Sequence, residues 1–439
     1  MSGAAGIALL AGLLAGLMLA VRAAQRRGAV GPELARKLVH MGMGAVCLAF
    51  PWIFSSAGPV WLLAAITSAG LLAVRWVPAL GAAVGGVLGG VRRTSWGEVY
   101  FPGAVAAVFA LAQGNRAEFC APVAMLAFGD AAGALVGQRW GRIKFRTVES
   151  LKSVEGSAAV GAVSAAAVVI ALRVQGGMGW PEALFTGAIL GVFAAMVEAV
   201  SWRGLDNLLV PLVAWAQLRV YAGLPGSELA LRGAVLALVA GLMFAWRARL
   251  LDFGARLGAA LVLYFSWALG GWHWLAAPVT LLASYAWITP RPPAGEGRYH
   301  LAAVVCIGSA GVGWAVANAR SAEVRWLWLF TLGLATQQAI IAAVRWSQAK
   351  PQWGRARWWT MGFAQATVVQ GGVFVAVNGA AAIAPHALVT GAVVMAAALA
   401  VFIAGERDLA LPDDMNARWW RQGAAAVLAS LAAFATMLP

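Results

Sequence analysis

Apolar runs of about 20 residues recur along the whole chain, which is the length that a helix needs to cross the hydrocarbon core of a bilayer. Of the 439 residues, 62% are hydrophobic and 11% are charged, a composition that excludes a soluble globular protein of this size. Because lipid offers the backbone no hydrogen-bond partners, a spanning segment of this length must be helical. The sequence therefore predicts an all-α protein, a polytopic bundle of transmembrane helices.

Short basic loops separate the apolar runs and assign them to the two sides of the membrane. Cytoplasmic loops are enriched in arginine and lysine, and the loop after the first run has five such residues between positions 22 and 37. This pattern places both termini outside and gives about sixteen spans. The predicted spans are residues 3–21, 38–56, 58–74, 101–114, 118–138, 156–173, 181–201, 207–222, 229–246, 255–270, 272–288, 300–317, 326–344, 360–378, 383–403 and 422–438.

Two segments need a separate interpretation. Residues 7–21 lack the basic start and the cleavage site of a signal peptide, so we interpret them as part of the first span. Residues 77–91 are rich in glycine and have arginines on both sides. A full crossing would leave one of these basic ends outside, so we interpret residues 77–91 as a re-entrant or interfacial segment.

Charge and cysteine content exclude two other classes of site. The net charge is +15, but the arginines cluster at the ends of the apolar runs, which indicates membrane topology and anionic lipid rather than nucleic acid as a partner. Cys47, Cys120 and Cys306 lie in or beside apolar runs without CxxC spacing. Disulfides and a structural zinc site are therefore not expected.

Acidic and basic residues from four hairpin ends are expected on the cytoplasmic side. An acid inside a span is costly and marks a functional site by default. Several carboxylates together with lysine and arginine suit Mg²⁺ and phosphates, because Mg²⁺ takes carboxylate and phosphate oxygens. The residues that converge are Arg36, Lys37, His40, Asp130, Lys152, Glu155, Glu198, Asp206 and Asn207.

Each of these residues also has a structural explanation. The glycines at 129, 133, 137 and 141 recur every four residues, which is typical of close helix packing. Glu155 stands in the first turn of a predicted helix, where the helix dipole stabilises an acid, and Asp206 is placed to be a helix N-cap. His40 is typical of a hydrogen-bonded packing residue. Asp130 is the hardest to explain in this way, because it lies within a span.

Five short motifs resemble those of the polyprenol kinase family, which includes the phytol, dolichol and CTP-dependent diacylglycerol kinases. The match extends over roughly residues 33–211, and the motifs follow in the family's order. They are residues 33–40 (ELARKLVH), 96–102 (WGEVYFP), 129–141 (GDAAGALVGQRWG), 152–157 (KSVEGS) and Glu198 with residues 204–211 (GLDNLLVP). The KSVEGS motif is also similar to one in CDP-diacylglycerol synthase, a relative that handles CTP.

The resemblance implies transfer of the terminal phosphate of CTP, or of another nucleoside triphosphate, to an isoprenoid alcohol or similar lipid. No Walker-type GxxxxGK[ST] is present, so a P-loop ATPase is not supported. We expect His40 or one of the acids to accept the alcohol proton, and Arg36, Lys37 and Glu198 to lie at the transferred phosphate. The expected Mg²⁺ ligands are Asp130, Glu155 and Asp206, and the expected nucleotide contacts are Arg142, Lys144, Lys152, Ser153, Gly156 and Asn207.

Two alternatives to a kinase stay open. One is a cytidylyltransferase that forms a CDP-lipid, and the other is a lipid transporter or scaffold whose kinase-like half is inactive. The expected location is the bacterial inner membrane, with the active site on the cytoplasmic side.

The motifs leave the second half of the chain unexplained. We therefore predict a catalytic membrane domain over residues 1–222 and an additional helical membrane domain of unknown role over residues 223–439. Polar residues within the apolar runs of the second half are expected to form hydrogen bonds between helices. They are His273, Asn318, Gln337, Gln338, Gln365, Gln370 and Asn378.

Overall fold

The fold is almost entirely helical, as predicted. The structure is a computed structural model and describes residues 3–77, 96–146, 151–200, 203–245, 251–290, 300–409 and 415–438. Nearly all of the glycine-rich segment predicted to be re-entrant lies outside these residues. Contacts along the chain divide it into two compact units, Met1–Leu236 and Ala237–Pro439.

The first unit contains the helices that hold the sequence motifs. They are α1 (Gly3–Arg26), α2 (Pro32–Leu48), α3 (Phe50–Ile53), α4 (Ala57–Trp76), α5 (Gly97–Ala112), α6 (Arg116–Trp140), α7 (Val154–Val174), α8 (Trp180–Ala199), α9 (Asp206–Tyr221) and the first part of α10 (Gly226–Ala245). In the N-terminal half of α6, the residues from Ala117 to Ala127 are all buried. Helices α2, α5, α7 and α9 pack against α6, so α6 is the central helix of this unit.

The second unit is also a helical bundle. Its helices are α11 (Phe253–Gly270), α12 (Trp272–Trp287), α13 (Leu301–Arg320), α14 (Val324–Ala349), α15 (Arg355–Ala366), α16 (Gly372–Asn378), α17 (Pro385–Gly405) and α18 (Met415–Ala435). A π-helical turn, Thr367–Gly371, joins α15 to α16, and a short 3₁₀ turn, Ala380–Ala382, follows α16. Helix α14 is buried along almost its whole length and forms the centre of this unit.

Every predicted span overlaps a helix. Among the described residues, ten helices are long and apolar enough to cross a membrane, judged by length and composition. The remaining overlapping helices are shorter or more polar. Helix α2, for example, has 17 residues, and α5, α9 and α12 have 16 each. The number of sixteen spans and the side of the termini therefore stay predictions.

The basic loop after α6 contains a feature that the sequence analysis missed, a small β-hairpin. Strands β1 (Lys144–Arg146) and β2 (Leu151–Ser153) pair antiparallel, with Lys144 opposite Ser153 and Phe145 opposite Lys152. Three residues are too few to show the alternation by which a strand is recognised in a sequence. Strand β2 continues directly into α7, so the hairpin sets the position of Lys152 relative to that helix.

Glycines allow α6, α7 and α8 to pack at close range. A methyl group on Gly133 of α6 would overlap Val160 of α7, and one on Gly156 would lie 2.9 Å from the carbonyl oxygen of Gly133. Between α7 and α8, a methyl group on Gly161 would lie 3.3 Å from the carbonyl oxygen of Gly191. The packing explanation of the repeated glycines in α6 is therefore confirmed.

Most of the polar residues in the second unit form the expected hydrogen bonds between helices. Gln337 Nε2 donates to the Cys306 carbonyl at 2.9 Å, and Gln370 Nε2 donates to Gln338 Oε1 at 2.9 Å. Gln365 and Asn318 also bond to neighbouring helices. The expectation is wrong for Asn378, which bonds within its own helix to the Phe374 carbonyl, and His273 packs its ring against Trp272.

We predict that Gly133→Leu destabilises the first unit. The added side chain meets Val160 and the Gly156 carbonyl, and overpacking of this kind costs about 1–3 kcal/mol of unfolding free energy. The measurement is the thermal unfolding temperature in detergent, with Gly16→Leu in α1 as the matched control because a methyl group on Gly16 would have no neighbour within 4 Å. Equal unfolding temperatures for the two variants would contradict the packing account.

Candidate functional site

A buried ion pair joins α2 to α6. Lys37 Nζ lies 2.6 Å from Asp130 Oδ2 and 3.4 Å from the Asp130 carbonyl oxygen. The Lys37 side chain is 4% exposed and that of Asp130 is 25% exposed. The lysine is therefore buried, whereas part of the carboxylate is accessible. Asp130 therefore has a partner, and its position inside a span is explained by Lys37 from a helix 93 residues away.

His40 lies beside this pair, one turn further along α2. Its Nε2 atom is 3.8 Å from Asp130 Oδ2, and its ring packs edge-on against Phe101 of α5 with centroids 5.3 Å apart. Nε2 is buried and has no hydrogen-bond partner among the described residues. His40 thus packs against Phe101 and faces the Asp130 carboxylate through an Nε2 atom that makes no hydrogen bond within the described residues.

The start of α9 lies within electrostatic range of His40. The charges of Asp206 and Arg36, like those of Asp130 and Lys37, act on the His40 imidazole. Asp206 is the first residue of α9, and the capping position before it is Leu205, which makes no side-chain cap. The N-cap explanation for Asp206 is therefore wrong.

A tight turn holds the start of α9 against the start of α5. The Trp96 amide donates to the Arg203 carbonyl at 3.0 Å. Arg203 and Gly204 both have positive φ, 52° and 79°, a conformation that glycine adopts without strain. The Asn207 Oδ1 atom that follows is buried and has no hydrogen-bond partner within the described ranges. Two buried polar atoms, His40 Nε2 and Asn207 Oδ1, thus have no hydrogen-bond partner among the described residues.

A second charged cluster lies at the hairpin. Lys152 Nζ is 2.6 Å from Glu198 Oε1 and also bonds to the Glu198 carbonyl at the end of α8. Ser157 Oγ donates to the other carboxylate oxygen at 3.4 Å. A lysine that bonds the last carbonyls of a helix also interacts favourably with the helix dipole. Lys152 therefore connects β2 to α8.

Glu155 holds the corner between the hairpin and α7. Its carboxylate accepts a hydrogen bond from the Ile143 amide, at 3.1 Å to Oε1 and 3.3 Å to Oε2. Ser153 is the N-cap of α7, and its Oγ accepts from the Gly156 amide at 3.1 Å. One amide of this helix end is thus already bonded to a side chain.

The three cations expected at the triphosphate do not share one position. Arg142 and Lys144 are exposed, and Lys152 is partly buried on Glu198. Lys144 pairs with Ser153 across the ribbon while Lys152 pairs with Phe145, so the two lysines belong to opposite faces of the hairpin.

The expected metal ligands are brought together only in part. In the part of the chain that the structure describes, no group of three or more His, Cys, Asp or Glu side chains is close enough to hold a metal ion. Asp130 Oδ2 lies 3.8 Å from His40 Nε2, and the charge of Asp206 acts on the same imidazole. Two carboxylates fit Mg²⁺, which is usually held by one or two carboxylates together with substrate phosphates and water.

One buried acid in α6 was missed by the sequence analysis. Glu118 is 6% exposed and lies in the first turn of α6. Its carboxylate accepts from Trp215 Nε1 at 3.1 Å, from Asn115 Nδ2 at 3.0 Å and from Arg219 Nη1 at 3.4 Å. The signal was the spacing of Asn115 and Glu118, which forms a reciprocal cap at the start of α6. Glu118 therefore connects α9 to α6. Of the two acids in α6, Asp130 is the more accessible, with 25% of its side chain exposed.

Comparison with known proteins identifies one relative. Over 202 residues the chain is 31% identical to phytol kinase from Synechocystis sp., and the alignment covers 44% of this chain and 82% of that protein. No family model matches the chain, and no solved structure matches it.

We predict that Lys152 and Glu198 are energetically coupled. Lys152→Met leaves a partly buried carboxylate unpaired and Glu198→Gln leaves the ammonium with one partner fewer, so each change lowers the unfolding free energy. The double variant should lose less than the sum, with a coupling of about 0.5–3 kcal/mol. Denaturant unfolding in detergent measures it. The control is the more exposed helical pair Glu228 and Arg232, for which a coupling of about 0.3–0.5 kcal/mol is expected. Equal coupling in the two pairs would contradict the prediction.

Proposed function

The chain belongs to the polyprenol and phytol kinase family, and from this premise we propose that it is an integral membrane kinase of lipid alcohols. The finer proposal is that it transfers the terminal phosphate of CTP to an isoprenoid alcohol at the cytoplasmic face of a bacterial inner membrane. The observation that carries it is the Lys37, Asp130 and His40 cluster, in which a partly exposed carboxylate pairs with a buried lysine and lies 3.8 Å from a histidine whose Nε2 has no hydrogen-bond partner among the described residues.

Phosphoryl transfer requires the protein to position the two substrates and to neutralise the phosphate charge, and it requires little covalent chemistry from the protein itself. In our proposal the hydroxyl oxygen of the lipid forms a bond to the terminal phosphorus, the bond from that phosphorus to the nucleoside diphosphate breaks, and the hydroxyl proton passes to His40 Nε2. Asp130 then stabilises the imidazolium, which is 3.8 Å away. Lys37 holds Asp130 in place, because its ammonium contacts both the carboxylate at 2.6 Å and the Asp130 carbonyl oxygen at 3.4 Å.

The remaining charges support binding of the nucleotide. Arg36 and Lys152 supply positive charge for phosphate oxygens, and the unbonded, buried Oδ1 atom of Asn207 is a hydrogen-bond acceptor without a donor among the described residues. When bound, Mg²⁺ would neutralise phosphate charge, and Asp130 and Asp206 are the residues that would hold it. We propose that Glu155 acts indirectly, by fixing the corner from which Lys152 extends. The exposed Arg142 and Lys144 are proposed to meet the nucleotide from the hairpin.

A cytidylyltransferase is the second candidate, favoured by the KSVEGS motif at residues 152–157. The two reactions differ in the bond that is broken. A kinase transfers the terminal phosphate of CTP to a lipid alcohol and releases CDP. A cytidylyltransferase instead transfers CMP, with its α-phosphate, to a lipid phosphate and releases pyrophosphate.

We predict that purified protein transfers label from [γ-³²P]CTP to a lipid alcohol in the presence of Mg²⁺, and that Asp130→Asn lowers kcat by about 100-fold or more, as loss of a general acid–base partner does. Thin-layer chromatography of the lipid product measures the transfer. Glu228→Gln is the matched control, since it also neutralises one acid but lies in an exposed helical pair.

Two results would contradict the proposal. Unchanged turnover in folded Asp130→Asn would remove Asp130 from the site. Pyrophosphate release, with label incorporated only from [α-³²P]CTP, would replace the kinase by a cytidylyltransferase. Replacing CTP by ATP or UTP in the same assay tests the choice of donor.

A further inference from the structure

A cavity of about 420 Å³ lies in the first unit, at the end of α5 that is remote from the candidate site. It forms where the turn between α3 and α4 meets the turn between α5 and α6. Phe101, near the start of α5, contacts His40, whereas the cavity begins at Phe109, about 12 Å further along the helix. The cavity is therefore separate from the charged cluster, and its volume is within the ~300–1,000 Å³ that is usual for ligand pockets.

Aromatic rings form the apolar part of the lining. Phe54, Phe109 and Phe119 line the cavity, and Phe109 meets Phe119 edge to face with ring centroids 5.3 Å apart. Phe50, which is not a lining residue, contacts all three rings. Because these rings pack against one another, the apolar side of the cavity is held in a fixed shape.

Hydrogen-bonding groups form the rest of the lining. Ser55, Ser56, Gln113 and Asn115 all line the cavity and are all exposed. The Asn115 side chain is used at the start of α6, where it bonds to Glu118. The hydroxyls of both serines and the side-chain amide of Gln113 make no hydrogen bond within the described residues. Three polar side chains at the cavity are thus available to a ligand.

Charged groups are absent from the lining among the described residues. Arg116 follows a lining residue in the chain, but its guanidinium stacks on Trp52 at 5.0 Å. The carboxylate of Glu118 is buried and accepts from Trp215 and Asn115. A phosphate in the cavity would have no lining cation, and a quaternary ammonium would have no lining carboxylate. The lining therefore suits an uncharged ligand that has both an apolar face and hydroxyl groups.

A sugar ring has this combination of surfaces. One face of a pyranose presents C–H groups, which pack on aromatic rings, and its edge has hydroxyls, which both donate to and accept from serine and amide groups. We infer that this cavity binds the ring of an uncharged sugar, either free or as the headgroup of a glycolipid. The inference does not depend on the kinase reaction. On the topology predicted from the sequence, this end of the first unit faces outside, opposite the candidate site.

The test measures binding to the full-length protein in a detergent without a sugar headgroup, such as an amine oxide, because maltoside and glucoside detergents would occupy the cavity. The free probes are the methyl glycosides of glucose, galactose and mannose, and the lipid probes are monoglucosyl and monogalactosyl diacylglycerol. A ligand that binds the folded state raises the unfolding temperature with its concentration, which gives the affinity. We expect saturable binding of at least one sugar. Binding of the glycolipid alone would assign the cavity to lipid headgroups, and binding of the methyl glycoside as well would assign it to the ring itself.

Neighbouring residues of α5 provide a matched pair of variants. Ala110 lines the cavity, whereas Leu111 is also partly exposed but is absent from the lining. Ala110→Trp fills the cavity and should lower the affinity about tenfold or more, whereas Leu111→Trp should change it by less than about twofold.

A second variant removes hydrogen bonds without adding bulk. Ser55→Ala/Ser56→Ala should lower the affinity about fivefold or more, because two hydroxyls that bond the sugar are lost. Ser227→Ala is its control, since Ser227 is an exposed serine of the first unit outside the cavity.

Two outcomes would overturn the inference. One is the absence of binding of every sugar probe to the wild-type protein. The other is wild-type affinity in folded Ala110→Trp, or in Ser55→Ala/Ser56→Ala where the tryptophan variant does not fold. Sugar binding by a protein that phosphorylates no lipid alcohol would contradict the proposed function and leave this inference standing.

Discussion

The site depends on one electrostatic constraint, the pairing of Lys37 with Asp130 inside an apolar bundle. A charge that is moved out of water costs several kcal/mol unless it is paired and hydrogen-bonded. Lys37 is almost fully buried, and Asp130 supplies both a carboxylate and a backbone carbonyl to it. This requirement fixes α2 against α6 at one depth, and with α2 it positions His40, whose Nε2 atom has no hydrogen-bond partner among the described residues.

Close packing of α6 against α7 connects this ion pair to the β-hairpin and to α8. The glycines of α6 and α7 bring the two backbones so near that a methyl group on Gly156 would meet Gly133. Helix α7 starts at the β-hairpin, so its position also sets that of Lys152, which bonds to Glu198 at the end of α8. The ion pair and the hairpin cluster are thus linked through a rigid, glycine-packed pair of helices, which is the kind of scaffold on which a phosphate can be held between fixed charges.

The sequence predicts the helices and the participants of the site well, and their pairing poorly. Apolar length and basic loops were enough to find each helix and to expect Lys37, His40, Asp130 and Asp206 at one end of the bundle. The rotation of each helix about its axis is not legible in alanine- and glycine-rich spans, because almost every face is apolar. For that reason the sequence does not predict that Lys37 pairs with Asp130.

The most direct test asks whether the Lys37 and Asp130 pair performs chemistry or only holds two helices together. The double variant Lys37→Met/Asp130→Asn removes both charges and leaves neither partner unpaired, so it should unfold closer to the wild-type temperature than Lys37→Met alone. The measurement is single-turnover phosphoryl transfer by this variant. Our account predicts a folded protein with no transfer. Transfer at the wild-type rate would show that the pair is structural and would contradict the account.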